Sequence, residues 1–108
     1  MLHFDPTTPD GRLLLSVDFS NLAPVGANID SVVVRIEVHE SSRVDDNNSS
    51  LRLDGPPVVT GKIVSQWFKH GVEGVDYVLH FIPTFSDGTI EPVSVKIPVR
   101  RYAPPQQS

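Results

Sequence analysis

The side chains that most often carry chemistry are sparse in this chain and poorly spaced for it. Its four histidines, His3, His39, His70 and His80, form no H-x-x-x-H pair of the kind that sets two imidazoles on one metal. His39 and His80 alternate with apolar residues and are expected to face outward. Neither a G-x-S-x-G nucleophile elbow nor a P-loop is present, and Gly71-Val72-Glu73-Gly74 is too short to cradle a phosphate. Asp45, Asn47 and Ser49 have the alternating opening of a calcium loop but lack the glycine that should follow and the distal bidentate glutamate. They read as a solvated polar tip. The absence of cysteine excludes a disulfide scaffold, a thiolate zinc site and a thiol nucleophile. A Ser/His/Asp set assembled only in space would leave no motif, and the residues themselves point to none. The expectation is a non-enzymatic protein with no cofactor and no metal.

Arg35, Lys96, Arg100 and Arg101 could make a small basic patch, but a few cations give only weak, salt-sensitive binding to nucleic acid. The net charge of −4 also argues against a basic stripe, so no nucleic-acid partner is expected. No run approaches the roughly 20 apolar residues that cross a bilayer, so no membrane partner is expected either. Met1-Leu2-His3-Phe4-Asp5-Pro6 lacks a basic segment followed by a long apolar one, which predicts synthesis and folding in a cytoplasm.

The elements that must position these residues are strands. At 108 residues one domain is expected, and ten prolines and seven glycines punctuate nearly all of it. Period two dominates the apolar pattern. Leu13, Leu15, Val17 and Phe19 share one face of the first strand, and Val32, Val34, Ile36 and Val38 share one face of a strongly β-branched second. Val75, Tyr77, Leu79 and Phe81 form a third row, and Val93, Val95, Ile97 and Val99 a fourth. Ile63 to Phe68 has apolar residues on both parities; with Trp67 placed in the core, Val64 or Phe68 must face out. Asp87-Gly88 between two alternating runs predicts a hairpin, and Asp54-Gly55-Pro56-Pro57 predicts a turn between two short strands. Tyr77, just after a turn and near the start of the penultimate strand, is placed for a tyrosine corner, its hydroxyl tied to nearby backbone.

The architecture expected is all-β, an immunoglobulin-like antiparallel β-sandwich of about seven strands. Residues 13–101 form the sandwich, 1–12 an N-terminal arm and 102–108 a Pro-rich C-terminal tail. Apolar residues on the parity opposite the core rows suggest a partner-contact surface: Leu14, Val33, Val78 and Ile82. Pro98 has no amide hydrogen and predicts an open edge or a bulge in the last strand. With Arg100, Arg101 and Tyr102 beyond it, it completes the candidate contact set.

The motif order resembles the small bacteriophage fiber-tail adaptor proteins. The series is Val17-Asp18-Phe19-Ser20-Asn21-Leu22, then Ile29-Asp30-Ser31-Val32, then Gly71 to Phe81, then Thr84-Phe85-Ser86-Asp87-Gly88 and a closing Val-rich strand. Phe19 stands where that family usually has tryptophan, and the polar stretch around Asp45–Ser50 is an insertion. The resemblance implies a non-enzymatic virion subunit of the tail, assembled in the bacterial host cytoplasm. Its partners would be phage tail and fiber proteins and other copies of itself in a symmetric assembly. A head-decoration or collar protein, or an immunoglobulin-like surface or carbohydrate-binding module, are the alternatives.

Overall fold

The structure is a computed structural model that describes the backbone of residues 2–3 and, with side chains, residues 11–100. Seven strands are divided between two sheets: β1 (Leu2–His3), β2 (Arg12–Asp18), β3 (Ile29–Val38), β4 (Leu53–Thr60), β5 (Ile63–Lys69), β6 (Asp76–Phe85) and β7 (Val93–Pro98). One sheet has the order β1-β7-β6-β3 and the other β2-β5-β4. All pairings are antiparallel except β1 with β7. This is the all-β sandwich the sequence predicts, in immunoglobulin strand order, with the first strand paired to the last rather than to the second. Residues 2–3 of the expected arm therefore belong to the sandwich. The remainder of that arm, up to residue 10, lies outside the described residues, as does the C-terminal tail.

The four alternating rows meet between the sheets. Leu15, Phe19, Val75, Tyr77, Leu79, Phe81, Phe85, Val95, Ile97 and Val99 are fully buried, while Val32, Val34, Ile36 and Val38 pack against them from the edge strand β3. Phe19 and Phe85 meet edge to face at 6.3 Å, and Phe68 and Tyr77 do so at 5.3 Å. Such pairs add to the burial energy through ring electrostatics. Gly71 leaves room for this cluster: a Cβ there would lie 2.6 Å from Val99 and 3.1 Å from both Phe68 and Tyr77.

Two expectations are corrected. Trp67 faces outward, and Val64 and Phe68 are both buried. Gln66 shares their inward parity, its amide satisfied by the carbonyls of Gly55 and Trp67, each at 2.9 Å. A buried polar side chain is tolerated on that row because the bulged neighbour offers it an acceptor. The second correction concerns Asp54-Gly55-Pro56-Pro57, which does not turn the chain. It is a bulge inside β4, where the register to β5 shifts between Asp54 and Val58 and Gly55 takes φ +80. Two prolines fit there because β4 is an edge strand with no ladder to lose on its outer side. The hairpin itself is made by Gly61-Lys62, joining the paired residues Thr60 and Ile63.

The hairpin at Asp87-Gly88 forms as predicted: Phe85 donates its amide to the Thr89 carbonyl, and Gly88, at φ +90, donates to that of Phe85. The tyrosine corner forms as well. The Tyr77 hydroxyl accepts a bond from the Val72 amide at 2.9 Å and donates to Asp46 at 2.6 Å.

Candidate functional site

The outer face of the three-stranded sheet collects residues from each of its strands, because cross-strand partners in an antiparallel ladder share a face. Leu14 stands opposite Trp67, which stands opposite Asp54; Ser16 stands opposite Ser65, and Ser65 opposite Val58. Asp18 pairs with Ile63 at the far end. Leu14, Val58 and Ile63 are 46%, 55% and 39% exposed. Ser16 and Ser65 bond to each other at 2.8 Å, so the centre of the face offers small, self-satisfied polar groups among apolar ones. The other end is ionic. The Arg12 guanidinium lies 3.7 Å from the centre of the Trp67 ring and bonds Asp54 at 2.8 Å, and Lys69 approaches the same carboxylate at 3.6 Å. Arg12 holds the Asp54 carboxyl below its ordinary range, against a smaller opposing push from burial. The result is an apolar strip with Arg12, Asp54 and Lys69 at one end and Asp18 at the other, an arrangement suited to protein contact.

The outer face of the four-stranded sheet is built differently. Glu37, His80 and Ser94 lie on the neighbouring strands β3, β6 and β7. The His80 ring bonds Ser94 Oγ through Nδ1 at 2.7 Å and Glu37 Oε2 through Nε2 at 2.5 Å. A serine, an imidazole and a carboxylate in a row have the composition of a hydrolase triad, but the attachment is reversed, with the carboxylate on Nε2 and the serine on Nδ1. The row also lies on an open sheet face. Backbone amides in a sheet run in its plane, so those around the row do not converge above Ser94 as an oxyanion site requires. The trio ties three strands together.

Two buried carboxylates brace the end of the sandwich where β6 begins. Burial pushes the Asp46 carboxyl up, but the Tyr77 hydroxyl, the Arg52 guanidinium and the Asn48 amide outweigh it and hold the group below its usual value. Asp76 follows the same pattern, with burial opposed by the Ser41 hydroxyl, Arg100 and Lys96. Burial and the bond to Asp46 push the Tyr77 hydroxyl up to about 12. Asp46 lies beside Asp45 and Asn47 in the polar stretch, so one carboxylate of that tip serves the core. Among the described residues, no group of three His, Cys, Asp or Glu side chains could hold a metal ion.

The structure does not bring the sequence-derived contact residues together. Leu14 lies on the three-stranded sheet, while Val33 and Ile82 are paired on the outer face of the other sheet. Val78 is corrected: it is 1% exposed, in the centre of β6 between Glu37 and Lys96, and offers a partner nothing. Pro98 ends β7 opposite Asp76, past the positions where β1 pairs with that strand, in keeping with an edge. Arg100 lies 2.9 Å from Asp76 Oδ1 and belongs to the brace. Arg101 and Tyr102 lie outside the described residues. Trp67, Val58, Ile63, Arg12 and Asp54 were not expected on an outer face; the mixed parity of Ile63–Phe68 was a signal for Trp67 and Ile63, and the other three join them through cross-strand pairing and the Arg12 contacts.

No family model matches the sequence, and no curated protein matches it either.

Proposed function

We propose that this protein is a non-enzymatic structural subunit that works by docking other proteins, and that it serves as a fiber-tail adaptor in the tail of a bacteriophage virion. The observation behind docking is the strip of Leu14, Val58, Ile63 and the partly exposed Trp67, backed by the packed core of the sandwich. The tail assignment rests on the motif series from Val17 to Gly88 and its resemblance to the adaptor family. Phage tail and fiber proteins are the partners in this reading, and the virion tail, assembled in the host cytoplasm, is the location.

Proteomics of particles purified from the phage that encodes the chain tests the assignment. The protein is expected in purified tails; its absence from virions overturns the proposal, and its recovery with heads alone replaces it by the decoration or collar reading. For docking, purified tail and fiber proteins are titrated against the wild type and against Leu14→Asp/Val58→Asp. The variant is expected to stay folded and lose at least tenfold in affinity, about 1.4 kcal/mol.

One observation favours a second reading, a carbohydrate-binding module: Trp67 lies on an outer sheet face beside Asp54, where its ring offers a stacking platform. Arg12 already covers one side of the ring, which leaves less of it for a sugar. A specific hit on a glycan array, lost in Trp67→Ala, would establish this alternative.

A further inference from the structure

The edges of the three-stranded sheet are unequal. β4 ends it on one side with a bulge and two prolines, which resist pairing. On the other side β2 runs straight for seven residues and carries no proline. His70 donates its amide to the Gly11 carbonyl at 3.0 Å and Phe19 donates to that of Lys62 at 2.8 Å. Both bonds use odd-numbered residues of the β2 line, so by the alternation of an antiparallel ladder the odd positions bond inward to β5. Arg12, Leu14, Ser16 and Asp18 then direct their amides and carbonyls outward from the sheet, with no strand beside them among the described residues.

The strand reads Arg12-Leu13-Leu14-Leu15-Ser16-Val17-Asp18, with opposite charges at its ends. We infer that two copies of this chain pair antiparallel through β2, about a two-fold axis at Leu15, with Arg12 of each copy opposite Asp18 of the other. In this register Leu14 stands opposite Ser16 of the second copy, and these even positions are the ones whose backbone groups are directed outward. Shifting the register by two residues in either direction keeps the backbone match but loses the two charge pairs. Side chains stay on their own faces, so Leu15 and Val17 continue the core row and Leu14 the outer strip. Arg12 turns from an exposed contact with Asp54, which solvent screens, to one at the new interface. The Ser20 amide and hydroxyl, both bonded to Asp18 Oδ1, fix the second carboxylate at the end of the strand. The other long edge, β3, is flanked by β4 and the Ser49–Arg52 turn and is the less accessible of the two. The inference deepens the docking reading by naming one partner, and rests on that reading's three-stranded sheet but on its edge rather than its face.

Light scattering at about 100 μM, a concentration that reveals weak association, tests it. Wild type is expected at twice the monomer mass of 11.9 kDa. Arg12→Asp and Asp18→Arg, each alone, set like charges opposite each other and are expected to be monomeric; mixed, they restore both charge pairs and the dimer. A monomeric wild type, or a dimer that both variants leave intact, overturns the inference. The register has its own readout, because the chain has no cysteine. Leu14→Cys mixed with Ser16→Cys should give an intermolecular disulfide under mild oxidation, and either variant alone should give little. If a charge variant fails to fold by circular dichroism, the cysteine pair decides: no cross-link in the mixture overturns the pairing. A wild type that is monomeric but binds tail proteins removes this inference and leaves the docking function standing, whereas a wild-type dimer that binds no virion protein does the reverse.

Discussion

The two outer faces of the sandwich solve the same problem in opposite ways. On the four-stranded sheet, Glu37, His80 and Ser94 bond one another across three strands and the central Val78 is covered, although Val33 on β3 stays 49% exposed. On the three-stranded sheet only the Ser16–Ser65 bond crosses the middle, and Leu14, Val58 and Ile63 remain open to water. A face that leaves apolar area uncovered gains free energy when something covers it, at roughly 25 cal/mol for each Å². The contrast is one of degree: polar bonds tie the strands of one face together, while the other leaves more apolar residues open to water and is for that reason the docking face in the proposed function.

The sharpest way to break this contrast is at the boundary between inside and outside on β5. Phe68→Ala is expected to cost about 3–5 kcal/mol in urea unfolding, because it empties a buried site against Tyr77. Trp67→Ala, one residue away and partly exposed, should cost no more than about 1.5 kcal/mol while abolishing partner binding. Equal losses would show that Trp67 belongs to the core and that the face assignment fails.

Next in size is the tyrosine corner. Tyr77→Phe keeps the ring but leaves the part-buried Val72 amide and the buried Asp46 carboxylate each short of a partner, and should cost about 2 kcal/mol. Titration of the wild type at 295 nm should show one tyrosine ionising near pH 12.

Acid comes third. Asp46 and Asp76 have folded-state values below the ordinary 3.8, so both carboxylates favour the folded state above that pH. Their contribution is lost as pH falls through the lowered folded values. Stability measured by denaturant should be flat near neutrality and drop below about pH 4. Asp46→Asn should start lower and show a shallower drop, and an unchanged slope would count against the brace.

The smallest expected effect is on the polar face. His80→Ala removes two partly exposed bonds and should cost about 1 kcal/mol, with partner binding unchanged. A loss of binding there would reverse the roles of the two faces.

Most of the sandwich was legible because alternation is a strong signal where one parity is uniformly apolar, as in Val32 to Val38 and Val93 to Val99. It failed at Ile63–Phe68, where both parities are apolar and only pairing with Leu14 and Asp54 decides which ring faces out. Asp54-Gly55-Pro56-Pro57 misled because turn chemistry and bulge chemistry use the same residues; what separates them is whether a neighbouring strand continues past them. The Glu37–His80–Ser94 row was half legible. Counting back from the Asp87-Gly88 hairpin sets His80 opposite Ser94, but Glu37 arrives from a strand connected through two others, so local sequence says nothing of its register. The partner strip shared that obstacle, since it gathers residues from three strands.

Pro56 and Pro57 have a consequence beyond the strand they interrupt. They give this sheet a valence of one: a newcomer strand can attach beside β2, and growth then halts, since the opposite rim refuses a further addition. A molecule built this way can recruit without polymerising, which any component needed in fixed number must manage.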